Sequence, residues 1–146
     1  MTVSETGAVV LRAAVGEQPL DVAAHTAAVA DPAGGAIVSF TGVVRDHDHG
    51  RSVTALEYSA HPTAAAVVAQ VAAEFAVRDG VLAIAVTHRL GDLVVGDLAI
   101  VVAVSAAHRQ TAFTVCAELV DEVKKRLPVW KRQRFADGTD EWVNSA

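Results

Sequence analysis

One short segment near the end of the chain, VKKRLPVWKRQR, holds six of the twelve lysine and arginine residues. Within this segment Lys124 and Lys131 lie seven positions apart, on either side of Pro128. If the chain folds back at the proline, the two ammonium groups approach each other beside Trp130. Two like charges destabilise each other unless an anion lies between them. The segment therefore predicts a compact site for an anionic group.

A solvated helix end is the alternative interpretation of Lys124. A cation in the last turn of a helix interacts favourably with the negative end of the helix dipole, so it need not belong to a site. The whole chain, however, has a formal net charge of −5, which makes a concentrated basic segment unusual. A single basic segment also argues against a nucleic-acid surface, which needs cations spread along a face.

A second candidate group lies where a predicted strand ends and a predicted helix begins, in the sequence SAAHR at 105–109. The first turn of a helix has free backbone N–H groups and the positive end of the dipole, which together favour an anion. Arg109 could bind a phosphate through two hydrogen bonds, and His108 could donate a hydrogen bond or move a proton. The alternative is a solvated His108 and an Arg109 that pairs with a surface carboxylate.

A third candidate, Arg45, follows a predicted buried strand and precedes a polar loop. It could join an anion pocket or pair with Asp46 or Asp48. The loop residues Asp-His-Asp-His at 46–49 are of metal-binding types, but a flexible loop offers no fixed coordination geometry. A solvated loop is the favoured interpretation, and no metal site is predicted.

These candidates lie on a mixed series of strands and helices. Strands are predicted at 8–15, 35–45, 52–59, 81–90, 98–105 and 129–135, with one more near the C-terminus, and helices at 19–31, 63–77 and 106–127. This order predicts an α+β fold in which a mixed or antiparallel sheet packs against helices. With 146 residues, the chain suits a single domain spanning 1–146.

Local signals refine several of these elements. Asp21 is a plausible N-cap for the first helix and Ser105 for the last one. The last helix is predicted to bury a stripe of apolar residues, namely Phe113, Cys116, Val120, Val123 and Leu127. Strand 35–45 is nearly continuously apolar, which predicts a strand covered on both faces. The segment GDLVVGD is predicted to be a turn that joins strands 81–90 and 98–105.

Composition limits the classes of function. Hydrophobic residues make up 52% of the chain, yet no apolar run is long enough to span a bilayer. No basic segment precedes the first apolar residues, so the sequence favours a cytoplasmic protein. Cys116 is the only cysteine, and its place on the apolar stripe favours a buried side chain over a nucleophile.

Four segments, in this order, resemble the large catalytic subunit of molybdopterin synthase, the MoaE family. They are FTGVVRDHDHGRSVTALEY, VTHRLGDLVVGD, SAAHRQTAF and VKKRLPVWKRQ, and they extend the resemblance over about residues 35–142. Each segment alone is a weak signal, whereas four in order are specific. The resemblance implies a MoaE-like α/β hammerhead fold.

The resemblance also implies an activity. Members of this family make the dithiolene of molybdopterin from cyclic pyranopterin monophosphate. The sulfur comes from the C-terminal Gly-Gly thiocarboxylate of a small ubiquitin-like partner of the MoaD family. The large subunits form a homodimer at the core of a heterotetramer, and no cofactor is implied. The alternative hypothesis is a non-catalytic docking module for a ubiquitin-like sulfur carrier.

Residue roles follow from the matched motifs. Lys124 and Lys131 match the two functional lysines, Lys124 toward the thiocarboxylate and Lys131 toward the substrate. The other positions implied in substrate binding are Val43, Val44, Arg45, His108, Arg109, Arg132 and Gln133. Val43 stands where many members have a polar residue, so Val43 and Val44 could supply only backbone or apolar contacts. The segment around Ser59, Ala60, His61 and Ala64 also departs from the family pattern.

Overall fold

A computed structural model describes residues 2–3 and 8–144 of the chain. The strands are β1 (Thr2–Val3), β2 (Val9–Gly16), β3 (Ala36–Val43), β4 (His47–Asp48), β5 (Arg51–Ala60), β6 (Val81–Arg89), β7 (Gly91–Val94), β8 (Leu98–Ala106), β9 (Val129–Phe135) and β10 (Asp140–Asn144). The helices are α1 (Val22–Ala28), α2 (Ala64–Ala76) and α3 (Arg109–Arg126).

The strands form two five-stranded groups. The first sheet has the order β1-β2-β6-β8-β3, in which β2 and β6 are parallel and the other pairs are antiparallel. The second sheet has the order β10-β9-β5-β4, and β7 also pairs with β5. Together with the three helices, this mixed sheet and this antiparallel sheet confirm the predicted α+β fold.

Helices cover both faces of the first sheet. Along β6, Ile84 and Val86 belong to the main core with α2 and α3, whereas Ala83 and Ala85 pack in a smaller cluster with Val29 at the end of α1. Successive strand residues point to opposite faces, so this alternation separates the two layers. The central strands β6 and β8 are therefore buried along almost their whole length.

Strand β3 differs from its prediction, because it is the last strand of the sheet and each of its residues is partly or largely exposed. The prediction that this strand is covered on both faces is therefore wrong. An apolar sequence alone does not reveal whether a strand lies at the centre or at the edge of a sheet.

The start of α3 also differs from its prediction. Ser105 lies inside β8 and is fully buried, and His108 occupies the N-cap position. Pairing of Ala106 with both Ala36 and Val81 extends β8 past the serine, so tertiary pairing overrides the local cap signal. Asp21, in contrast, is confirmed as the N-cap of α1, since its Oδ1 accepts a hydrogen bond from the Ala24 N–H at 3.1 Å.

The predicted apolar stripe of α3 is confirmed at four of its five residues, since Cys116, Val120, Val123 and Leu127 are buried. The buried residues of the helix are Ala112, Val115, Cys116, Leu119, Val120 and Val123. Phe113, predicted to be buried, is 59% exposed, because it lies beside the edge strand β3 and no element of the described residues covers the ring. In the described part of the chain, no helix has the length and apolar content needed to cross a membrane.

The segment GDLVVGD contains more structure than the predicted turn. Gly91–Val94 forms β7, which leaves the first sheet and pairs with β5 of the second. Gly91 permits this change of direction through its positive φ of 87°. The segment therefore joins the two sheets at the place where the candidate site lies.

Candidate active site

A pocket of about 300 Å³ lies where the two sheets meet the C-terminal end of α3. Seven elements and the residues that follow β3 contribute to its wall. The lining residues are Gly42, Val43, Val44, Arg45, His47, Leu56, Tyr58, His88, Ala99, Ile100, Lys124, Lys131 and Gln133. Six of the nine positions that the sequence singled out for substrate or catalysis are in this list.

Lys124 and Lys131 face the same pocket because the chain reverses after α3. Leu127 has an extended conformation, with φ −69° and ψ 120°, which ends the helix before Pro128 and leads directly into β9. Lys124 exposes part of its side chain to solvent, yet burial on the pocket side lowers its pKa, and the charge of Lys131 lowers that pKa further. The two cations therefore meet in a space that favours an anion.

The residues after β3 form one wall. The Val44 N–H donates to the Asp97 carbonyl and the Gly96 N–H donates to the Val44 carbonyl, both at 2.9 Å, so the loop after β7 fixes this backbone. Gly42 is required at the base of the wall, since a Cβ there would lie 2.6 Å from Ile100 Cγ2. Val43 is 48% exposed and presents an apolar side chain to the pocket.

Arg45 has both of the interactions that its sequence context allowed. It lines the pocket, and its Nη2 lies 3.4 Å from Asp48 Oδ1. Asp48 also accepts a hydrogen bond from Gln133 Nε2 at 2.8 Å. This bond is the main reason that the pKa of Asp48 is lowered, and nearby His49, Lys131 and Arg45 add to the effect. Asp48 thus ties the loop after β3 to β9.

Arg132 points away from the pocket. Neighbouring strand residues face opposite sides, so Lys131 and Gln133 line the pocket while Arg132 lies on the other face of β9. There Arg132 Nε donates to Asp140 Oδ2 at 2.6 Å, and the guanidinium lies 5.8 Å from the Trp142 ring.

His108 and Arg109 also lie outside this pocket. They line a separate, open cavity at the other end of α3, together with Gly35, Ala107 and Gln110. Arg109 begins the helix and Lys124 lies in its last turn. At 1.5 Å per residue, the two positions are about 22 Å apart along the helix axis, so one chain does not bring them together.

Two buried pocket residues that carry polar groups, His88 and Tyr58, were not identified as site residues from the sequence. His88 is 1% exposed, and its ring contacts the Tyr58 ring edge to face, with centroids 4.8 Å apart. Burial is the main reason that the pKa of His88 falls to about 4, and burial raises the pKa of Tyr58. Both residues are therefore neutral near pH 7. A lone histidine near the end of a strand has no spacing pattern that could have marked it.

Cys116 and the acidic loop supply no further reactive group. Burial raises the pKa of the Cys116 thiol to about 11, which keeps it protonated. No three His, Cys, Asp or Glu side chains among residues 2–3 and 8–144 are grouped so that they could hold a metal ion.

Comparisons with known proteins agree on one family. A model of the family "MoaE protein" matches residues 15–126. Molybdopterin synthase catalytic subunit 1 of Mycobacterium tuberculosis is 39% identical over 132 residues, covering 87% of this chain and 86% of that protein. The crystal structure of molybdopterin synthase from Staphylococcus aureus has a TM-score of 0.81 at 29% identity, covering 88% of this chain and 94% of that one.

A more distant structure shares the fold. It is a complex of subunits 1 and 2 of the molybdopterin-converting factor from Helicobacter pylori. The matching chain has a TM-score of 0.70 at 19% identity, covering 90% of this chain and 89% of that chain.

Proposed function

The chain belongs to the MoaE protein family, the catalytic subunits of molybdopterin synthase, and we propose that it transfers sulfur in the pocket between Lys124 and Lys131. The proposed substrate is cyclic pyranopterin monophosphate. The proposed sulfur donor is the thiocarboxylated Gly-Gly tail of a MoaD-like small subunit. The observation that carries the proposal is the convergence of two lysines from α3 and β9 in one pocket.

The chemistry needs positive charge at this place. Both reactants are anionic. The thiocarboxylate sulfur replaces an oxygen substituent of the pterin, and water then adds to the resulting thioester carbon. The oxyanion formed there collapses to a carboxylate as the C–S bond breaks and leaves the sulfur on the pterin. Lys131 binds substrate and developing negative charge, and Lys124 contacts the thiocarboxylate. The lowered pKa of Lys124 suits three roles, namely charge stabiliser, proton donor or transient covalent partner.

The reaction requires no sulfur from this chain. Cys116 is buried in the main core and its thiol stays protonated, so it is a poor nucleophile and a poor sulfur carrier. The small subunit supplies the sulfur, and the large subunit supplies the pocket and the cations. This division agrees with the name of the curated relatives, which are catalytic subunits, and disfavours a purely docking role.

Arg109 and His108 enter the proposal through a second copy of the chain. The face formed by β3 and α3 runs from these two residues at one end to the pocket at the other, with exposed Phe113 on it. A two-fold axis through the middle of this face would place the start of α3 in one copy beside Lys124 of the other. The phosphate of the substrate would then bind between two protomers.

Subunit exchange tests this arrangement. At substrate concentrations well below the wild-type KM, Lys124→Ala should be inactive and Arg109→Ala should retain about a tenth of the wild-type activity or less. In a shared-site dimer, an equal mixture forms mixed dimers with one intact site, which restores about a quarter of the wild-type activity. If the activity of the mixture does not exceed that of the two pure variants, His108 and Arg109 lie outside the active site.

Reconstitution tests the sulfur transfer itself. The purified chain is mixed with a thiocarboxylated small subunit and cyclic pyranopterin monophosphate, and molybdopterin is detected as its fluorescent oxidised derivative. Lys124→Ala should abolish product. Lys125→Ala is the matched control, because it removes the same charge one position away and Lys125 does not line the pocket. No product from the wild-type chain, despite a confirmed complex, would favour the docking module.

A further inference from the structure

His88 lies at the base of the proposed active site, but neither the sequence motifs nor the sulfur transfer described so far gives it a role. It is the penultimate residue of β6 and pairs with Ile100 of β8 and Val15 of β2. Both neighbouring strands are hydrogen-bonded to β6, so the backbone at His88 is held firmly. His88 lines the same pocket as Lys124.

One hydrogen bond identifies the tautomer of the His88 ring. Nδ1 lies 2.8 Å from the carbonyl oxygen of Arg89. A carbonyl oxygen only accepts hydrogen bonds, so Nδ1 carries the proton and donates it. In a neutral ring, Nε2 is then an acceptor and is the ring nitrogen that remains for the pocket.

The surroundings keep the ring neutral. Burial disfavours the imidazolium, and the positive charge of Lys124 disfavours it further, against the opposing effect of the Arg89 bond. The titratable and charged groups that line the pocket together with Lys124 are His88 on β6, Lys131 on β9, Tyr58 on β5, His47 on β4 and Arg45 after β3. His47 is paired through Nδ1 with Asp46 Oδ1 at 2.8 Å. Lys131 and Arg45 are cations and Tyr58 is a neutral phenol. In this group His88 offers a neutral nitrogen acceptor.

We propose that His88 is a positioning residue for Lys124, in which Nε2 accepts a hydrogen bond from Nζ and aims the ammonium group into the pocket. The importance of this role for turnover rests on the proposed function. A charged histidine in this place would repel both lysines, whereas a neutral acceptor stabilises the ammonium form of Lys124 without adding charge. His88 itself neither touches the reactants nor transfers a proton.

Two substitutions distinguish the roles of the two ring nitrogens of His88. In His88→Asn the side-chain amide can still donate to the Arg89 carbonyl, as Nδ1 does, but does not reach the place of Nε2. In His88→Gln the longer side chain can place an amide oxygen near Nε2 and restore an acceptor. We expect kcat to fall about tenfold in His88→Asn, the effect of losing one hydrogen bond to a charged group, and to recover largely in His88→Gln. KM should change little in either variant.

The titration of Lys124 provides a readout that needs no substrate. The sequence has three lysines, at 124, 125 and 131, so reductive methylation with ¹³C-labelled formaldehyde gives few signals to assign by NMR. In His88→Asn the titration midpoint of Lys124 should fall by about one pH unit, because the ammonium form has lost its acceptor. It should return toward the wild-type value in His88→Gln, and the Lys125 signal should not move.

An unchanged Lys124 midpoint in a folded His88→Asn variant would overturn the proposal. If that variant does not fold, ¹⁵N-histidine NMR of the wild-type chain and of Lys124→Ala tests the same hydrogen bond. Loss of the Nζ donor should move the Nε2 resonance downfield by several ppm, and an unmoved resonance would exclude the hydrogen bond. A wild-type chain without synthase activity would contradict the proposed function but leave both NMR tests valid.

Discussion

The two ends of α3 carry similar side chains in different settings. At the C-terminal end, Lys124 shares an enclosed pocket with groups from six other elements of its own chain. At the N-terminal end, Arg109 lies in an open cavity whose lining comes from the helix start and the segment before β3. The first end has the walls and charges of a site within one chain. The second end offers the guanidinium of Arg109, whose proposed role needs a complementary surface from a second copy of the chain.

The largest effect should come from the enclosed end. Lys131→Ala removes a cation that faces the pocket, and we expect turnover to fall by roughly 10²-fold or more, as when a transition-state charge loses its stabilising group. The same change should raise the pKa of Lys124, because the charge of Lys131 lowers it. Product formation and the methyl-lysine titration check the two effects separately.

Arg134→Ala is the matched control for Lys131→Ala. Arg134 lies three residues further along β9, is exposed, and does not line the pocket. It also pairs across from Asp140 in the neighbouring strand. Near-normal turnover is expected for this variant, and an equal loss would mean that general positive charge on β9, rather than the pocket, drives the reaction.

A smaller effect is expected at the open end. Arg109→Ala should raise KM for the pterin phosphate about tenfold or more while kcat falls less, since a lost bidentate phosphate contact weakens binding first. Inorganic phosphate should inhibit the wild-type chain more than the variant. Arg78→Ala, which removes an arginine paired with Glu118 on the surface, should leave KM unchanged. If KM stays constant in Arg109→Ala, the open cavity has no part in substrate binding.

The smallest effect concerns stability at the enclosed end. The folded pKa of Lys124 is below its unfolded value, so the unfolded chain binds more protons between the two values and stability rises with pH in that range. Below its folded pKa the lysine is charged in both states and slightly destabilises the fold. Lys124→Met should therefore be as stable as the wild type or more stable, by less than about 1 kcal/mol, in urea unfolding. A clear loss of stability would show that Lys124 supports the fold.

The sequence predicted much of the enclosed end because its signals are local. Lysine is rare in this chain, Pro128 ends a helix, and the seven-residue spacing follows from that reversal. The position of Arg132 could also have been predicted, because residues next to each other in a strand point to opposite faces. Its pairing with Asp140 depends on β10, which the sequence located only approximately.

Other features depend on long-range contacts that no local pattern contains. Ser105 has the chemistry of an N-cap, but the pairing of β8 with two strands moved the start of the helix beyond it. His88 became part of the pocket through β7, which carries the chain from one sheet to the other just after it. The exposure of Phe113 follows from the edge position of β3. None of these features can be predicted without knowing the order of the strands in the sheets.

The continuity of α3 also constrains how this gene can vary. The helix runs from Arg109 to Arg126 without glycine or proline. Arg109 and Lys124 are separated by fifteen residues, which at about 100° per residue puts them within roughly 60° of each other around the helix. One inserted residue would turn Lys124 by about 100° away from the pocket and lengthen the helix by only about 1.5 Å. Insertions and deletions should therefore be accepted in surface turns such as that at Gly138 and rejected throughout α3.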